Sequence, residues 1–190
     1  MDLDLSLEDG LHAQILSADD AALLVEATHR ETARSLWAAR PVGPYELHDA
    51  QAALLLWDPA EQGQFSIGIL REERLLGAVG LMPDGPGSIE LAYWIRPEER
   101  RRGIASRAVH AVTLWAHDAL DAVRIWLEIN PRNEPSLHLA QRVGYHFEQR
   151  LPRHCRDWSS ENAQHDSWHD CLVWTHLSEP APVLPDHAHS

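Results

Sequence analysis

The sequence predicts an α/β or α+β domain, and three observations carry that expectation. Short runs of alternating apolar and polar residues and longer runs with a helical stripe follow one another in the order β-α-α-β-β-β-α-β-α-β-β. One stretch, residues 88–105, passes directly from an alternating strand through an arginine-rich loop into a helix. With 190 residues and 44% hydrophobic composition, the chain is large enough for one domain with a substantial core.

Taken in order, residues 1–10 carry Asp2, Asp4, Glu8 and Asp9 and read as a frayed terminus without signal-peptide character. Leu11–Leu16 suits a first strand. Ser17-Ala18-Asp19-Asp20 reads as a helix start, a serine N-cap with an acid three positions on, and the helix is expected to run to Ala38. Arg40 to Pro44 breaks the pattern. A second helix spans Leu47–Trp57 and is expected to stop at Asp58-Pro59. Phe65, Ile67 and Ile69 alternate with Ser66 and Gly68, a strand over 64–70. Arg71–Arg74 is a charged turn, Leu75–Leu81 the antiparallel partner, and Met82–Gly87 a turn cluster.

Ile89, Leu91, Tyr93 and Ile95 then alternate with Glu90, Ala92 and Trp94, and Pro97 ends that strand because it has no N–H for the ladder. From Gly103, Ile104, Ala108, Val112 and Trp115 form one helical stripe to residue 118. Val123–Ile129 is a further strand. Asn133–Val143 is a helix with Asn133 as N-cap, Pro135 in its first turn and Gly144 at its end. Phe147–Leu151 and Ser167–Leu177 read as a last strand pair, separated by a long polar segment, Pro152–Asp166. The domain is expected over 11–178, with 179–190 as a flexible tail.

Charge and cysteine content narrow the function classes. A formal net charge of −13 argues against nucleic acid or an anionic membrane as general partners. No apolar run approaches the length of a membrane span; Ala52–Trp57 is among the longest. Against this background Arg96 and Arg100–Arg102 form a local basic cluster, suited to a polyanion at one point of the surface. Two cysteines do not make a disulfide framework, so the cytoplasm is the expected compartment. Cys155, His165, His169 and Cys171 match no usual zinc-ligand spacing, and no metal is expected there.

A strand, a glycine-containing loop and a helix N-terminus together make an anion site, because free backbone N–H groups converge there and the helix dipole favours negative charge. The loop reads Arg100-x-x-Gly103-x-Ala105, and a second block reads Asn130-x-x-Asn133-x-x-Ser136 followed by Gly144-Tyr145. With these blocks in this context, residues 11–177 resemble the GNAT superfamily of N-acetyltransferases, in particular the ribosomal-protein N-terminal (alanine/serine) acetyltransferases. The resemblance implies a mixed, mostly antiparallel sheet of about six to seven strands flanked by about four helices.

It also implies acetyl-CoA as cosubstrate. The pyrophosphate is expected on the loop and helix start, Arg100, Arg101, Arg102, Gly103, Ile104, Ala105 and Ser106, with Arg107 nearby. The pantetheine arm is expected along Tyr93, Trp94 and Ile95, where the strand parts from its neighbour at a bulge. Asn133 is either a plain N-cap or a cofactor contact. Many relatives carry a tyrosine acid at the position of Ala140, so Ser136 becomes the candidate partner of the leaving thiolate. Glu128 is the candidate general base, Glu90 its rival, and either could instead pair with Arg124 as an ordinary sheet carboxylate. Asp170 falls where the subgroup has a substrate-side aspartate, at the end of a stretch that also holds Asp157, Glu161 and Asp166. The activity implied is direct acetyl transfer to a primary amine, either a small molecule or a protein N-terminus, in a ternary complex; homodimers occur among such proteins. The alternative is a non-catalytic acyl-CoA-binding or sensing protein on the same fold.

Overall fold

A computed structural model describes residues 3–29, 44–157 and 167–178. Eight strands form one sheet in the order β1-β2-β3-β4-β5-β6-β8-β7. They are β1 (Asp4–Ser6), β2 (Leu11–Ile15), β3 (Phe65–Arg71), β4 (Arg74–Gly85), β5 (Ser88–Ile95), β6 (Arg124–Ile129), β7 (His146–Asp157) and β8 (Ser167–Leu177). Every neighbouring pair is antiparallel except β5 and β6. A parallel pair needs a crossover, and helix α4 (Ile104–Ala119) supplies it. The other helices are α1 (Ala21–Thr28), α2 (Leu47–Leu56), α3 (Pro59–Gln62) and α5 (Glu134–Arg142).

The two faces of the sheet bury separate cores. Ile89, Leu91, Ile95, Ile125, Leu127 and Ile129 pack under the stripe Ile104, Ala108, Val112 and Ala116 of α4 and under Leu139 and Ala140 of α5. On the other face Leu70, Leu75, Ala78 and Trp94 meet Leu24 of α1 and Ala50 and Leu54 of α2. Alternation along β5 therefore decides which side chains meet which helices. Among the described residues no helix is long and apolar enough to cross a membrane.

The mixed, mostly antiparallel architecture is the one expected, with eight strands instead of six or seven. The extra strand comes from the stretch read as frayed: Asp4–Ser6 pair with His12–Gln14. Ser17 forms the expected capping box with Asp20, over a short 3-10 turn, and the helix that follows is described to Thr28. Its expected continuation to Ala38 lies outside the described residues, as do the tail and Glu161, His165 and Asp166. Asp58 does not simply end α2; its carboxylate accepts from Ala60 N and starts α3. The expected Met82–Gly87 turn is shorter, because β4 runs on to Gly85 with a register shift between Pro83 and Gly85. β7 likewise passes Leu151 and reaches Asp157, so Pro152–Asp157 of the expected Pro152–Asp166 connection belong to the hairpin. Within that hairpin Cys155 and Cys171 form a disulfide across β7 and β8, with Cα atoms 5.9 Å apart, a pairing not expected from the sequence.

Candidate active site

β5 and β6 pair only over Ser88–Glu90 and Arg124–Trp126. Both strands continue, and each stays paired to its outer neighbour: Leu91–Ile95 to β4, Leu127–Ile129 to β8. The sheet therefore splits between Leu91–Ile95 and Leu127–Ile129. The edge of β5 that faces the split is open to an added extended chain. The expected bulge at Tyr93–Ile95 is absent: pairing with β4 is regular from Gly77–Ile95 to Pro83–Ile89. The divergence lies on the β6 side alone.

β5 leads into the basic loop. Gly103 adopts φ +73° and caps α4 without a side chain, and Arg101 before it also has positive φ, +61°. The first-turn N–H groups of α4 have no intrahelical acceptor, so Ile104, Ala105 and Ser106 present them at the head of the split. The loop is clamped from behind. Arg100 Nε donates to Ile95 O at 2.8 Å. Buried Glu99 accepts from Arg74 and Arg102, both at 2.9 Å. Arg96 is only 4% exposed and is held by Glu26 at 2.6 Å and Glu98 at 2.9 Å, so it is not part of a free basic surface. Arg107 donates to Asp9 at 2.8 Å. Of the arginines expected to meet phosphate, Arg102 and Arg107 are thus engaged by carboxylates, while exposed Arg101 makes no ion pair among the described residues.

Tyr93, Trp94 and Ile95 point to alternate faces. Ile95 is buried in the α4 core and Trp94 in the α1–α2 core. The Tyr93 hydroxyl donates to Ser136 Oγ at 2.9 Å, and burial raises the phenol's pKa above its ordinary value. Asn133 Oδ1 accepts from Ser136 N at 3.3 Å, which is the N-cap role and uses that oxygen. In sequence Tyr93 carries only the expectation of a main-chain role. The available signal was its place on the Leu91–Ile95 face, the one that α5 covers.

Glu90 and Glu128 lie on the opposite face. Glu90 pairs with Trp126 across the strands, and Glu128 follows two residues on, at the mouth of the split. Burial first, then the charges of Glu128 and Asp84, push the Glu90 carboxyl up to about 7. Glu128 sits in a sulfur and imidazole environment: His154 Nε2 is 3.0 Å from Oε1, and Cys155 Sγ is 3.3 Å from Oε2. Neither carboxylate pairs with Arg124, which binds Glu148 at 2.9 Å. Neither His154 nor Cys155 was linked to Glu128 from the sequence, because a register shift between Leu151 and Cys155 brings them there.

Asp170 belongs elsewhere. On β8 it alternates with Cys171 and shares the face of Leu172 and Trp174, which pack on the α4 core, away from Glu90 and Glu128. It accepts from Arg153 N at 2.9 Å and from Arg150 Nε at 2.7 Å, and these bonds hold its pKa below the usual range. It fastens the hairpin and is not directed at the carboxylate pair.

A split sheet headed by an uncapped helix start, with carboxylates on one face and a hydroxyl pair on the other, can be compared with known proteins. The model of the acetyltransferase (GNAT) domain matches residues 14–146. The chain belongs to the GNAT acetyltransferase family. A curated relative, the probable N-acetyltransferase YjcK of Bacillus subtilis, is 30% identical over 91 residues, 46% of this chain and 50% of that one. The match thus spans half the length of that relative. Among solved structures, ribosomal-protein-S5-alanine acetyltransferase from Vibrio fischeri superposes with TM-score 0.78 at 18% identity, covering 93% of this chain and 97% of that one. The ribosomal L7/L12 α-N-protein acetyltransferase RimL, in complex with coenzyme A, gives TM-score 0.75 at 14% identity, over 92% and 98%. At these identities the structural likenesses establish the GNAT fold.

Proposed function

We propose that this GNAT protein transfers acetyl from acetyl-CoA to a primary amine by direct attack in a ternary complex. The observation that carries the reading is the parting of β5 from β6 beyond Glu90 and Trp126, with the bare start of α4 at its head. The open edge of β5 suits a pantetheine arm, which carries amide groups able to pair with main chain. The N–H groups of Ile104–Ser106 and the Arg101 side chain suit the pyrophosphate.

Glu90 is the base in this reading. A carboxylate with pKa about 7 is matched to taking a proton near neutrality, and it stands on the face opposite the hydroxyl pair. An amine entering from that face meets the carbonyl at the split. Ser136 meets the departing sulfur, with Tyr93 holding one of its lone pairs so that its own proton points elsewhere. A main-chain N–H of β5 left unpaired at the split would polarise the thioester carbonyl. The reading needs no covalent enzyme intermediate: among the described residues Ser136 accepts from the Tyr93 hydroxyl, and both cysteines are tied up in the disulfide.

The likeness to structures named as ribosomal-protein acetyltransferases supports a protein N-terminus as the first acceptor to test. The experiment is thiol release from acetyl-CoA with peptides bearing N-terminal alanine or serine, polyamines, aminoglycosides and free amino acids. Acetyl-CoA binding without turnover on any amine would favour a sensing role, to which Ala140 in place of a tyrosine acid would then belong.

A further inference from the structure

We infer that Cys155, Cys171 and His169 form a redox-gated site for a thiophilic divalent cation of the zinc class, beside Glu128. The three ligand atoms, two sulfurs and a ring nitrogen, lie within 4.8 Å of one another. Tetrahedral zinc with Zn–S of about 2.3 Å and Zn–N of about 2.0 Å sets such atoms roughly 3.5–3.8 Å apart, so the cluster is of the right size once the disulfide is open. Cys171 is buried, and Cys155 and His169 are half-buried.

Strand register builds the cluster, which is why linear spacing hid it. His169 and Cys171 share one face of β8, and His169 is directly opposite Cys155. Regular continuation from the Leu151–Cys171 pair would have set Cys155 opposite Ser167, too far along to meet Cys171. The register shift between Leu151 and Cys155 moves it back. The shift is held in place: Arg153 within it has φ +50°, and its N–H is fixed by Asp170 at 2.9 Å. Irregularities of this kind re-aim side chains, and this one aims a thiol at a thiol and an imidazole.

The chemistry balances. A dithiol reductant supplies two electrons and two protons to open Cys155–Cys171. The cation then displaces those two protons, giving two thiolates and a neutral imidazole on a 2+ ion. The resulting cluster has no net charge, which a half-buried position tolerates far better than an isolated ion. A fourth position remains for water. The oxidised and metal-bound forms exclude each other, because both use the same two sulfurs.

The test is a cobalt(II) titration of the full chain, reduced and kept anaerobic, followed by zinc competition. Thiolate-to-cobalt charge-transfer absorption reports cysteine ligands only, so the other histidines of the chain do not interfere. One equivalent of tetrahedral, thiolate-bound cobalt, displaced by zinc, is expected for the reduced protein, and none for the oxidised protein. The oxidised wild type is a control that needs no mutant to fold. His169→Gln should weaken cobalt binding at least about 10-fold, since even outer-shell changes at metal sites cost 10–100-fold. Absence of charge-transfer absorption from the reduced protein overturns the site. Equal binding by His169→Gln also overturns it as a three-ligand centre.

Discussion

The Tyr93 hydroxyl donates to Ser136 Oγ at 2.9 Å, joining the open edge of β5 to the first turn of α5 across 43 residues of sequence. The phenol is buried and stays protonated well above neutrality, so it is a permanent donor to the serine. If that bond fixes the serine proton toward the leaving sulfur, Ser136→Ala and Tyr93→Phe should each lower kcat about 10-fold or more. The double variant should be no worse than Ser136→Ala alone, because both changes break one chain of hydrogen bonds. Additive losses in single-turnover assays would show that the two groups act separately.

Glu90 supplies a pH prediction with a defined sign. Its folded-state pKa of about 7 lies above the ordinary glutamate value, so the folded protein binds the extra proton between the two. As the proposed base it would work only when ionised, so kcat/KM should rise with pH through about 7. Glu90→Gln should remove that limb and lower kcat/KM by about 10²-fold at neutral pH. Stability should move oppositely. Ionising Glu90 costs folding free energy as pH rises from the ordinary range through 7, so Glu90→Gln should be the more stable protein at pH 8, by roughly 2–3 kcal/mol, and equal to wild type below pH 4. Glu128→Gln removes one of the charges that raise Glu90, and should shift the activity limb to lower pH. Denaturation at the two pH values and one pH–rate profile for each variant check all of this.

The parts of the candidate site whose local structure was legible from sequence are those built by neighbours in the chain. The strand–loop–helix around Gly103 follows from two periodicities meeting at one glycine. The caps at Ser17 and Asn133 are contacts over three residues. What escaped the sequence depends on register or on partners far away. Arg96 looked like part of an open basic cluster, yet Glu26 and Glu98 bury it. Asp170 was expected on the substrate side from the family resemblance alone; its bonds to Arg150 and Arg153, on the face opposite Glu90 and Glu128, depend on the β7–β8 pairing. The meeting of Cys155 with Glu128 and Cys171 depends on a register shift that no spacing rule contains. β1 is three residues long and exists because β2 offers it an edge.

Gly103 separates backbone strain from charge. At φ +73° any side chain costs roughly 1–2 kcal/mol, and the space around a new Cβ is open, with Arg107 the nearest group at 3.9 Å. Gly103→Ala should therefore fold with slightly lower stability and bind acetyl-CoA within a few-fold of wild type. Gly103→Glu carries the same strain and adds a carboxylate at the helix start, and acetyl-CoA binding should be lost. Calorimetric titration of both folded variants decides the matter. Equal affinity in the two would place the pyrophosphate somewhere else.

Gly77 tests the opposite side of β5. A Cβ there would run into the main-chain oxygen of Trp94 and lie 2.7 Å from Ile95 Cδ1. The Ile95 side chain can rotate, but the Trp94 carbonyl belongs to the backbone and cannot yield without parting β4 from β5. Those strands are paired at this point, Gly77 with Ile95 and Ala78 with Trp94. Gly77→Ala should cost about 2–3 kcal/mol or more, in the range of severe overpacking. Gly85→Ala, on the same strand with nothing within 4 Å of the new Cβ, should stay within about 0.5 kcal/mol of wild type. The comparison also reaches function. The segment that Gly77→Ala must displace is Trp94–Ile95, whose other edge faces the split, so the variant should lose acetyl-CoA affinity even at temperatures where it remains folded. Thermal denaturation with and without acetyl-CoA measures both effects: a large ligand-induced rise in Tm for Gly85→Ala and a small one for Gly77→Ala is the expected pair. An undiminished ligand-induced rise in Gly77→Ala would mean that the cofactor does not depend on this stretch of β5.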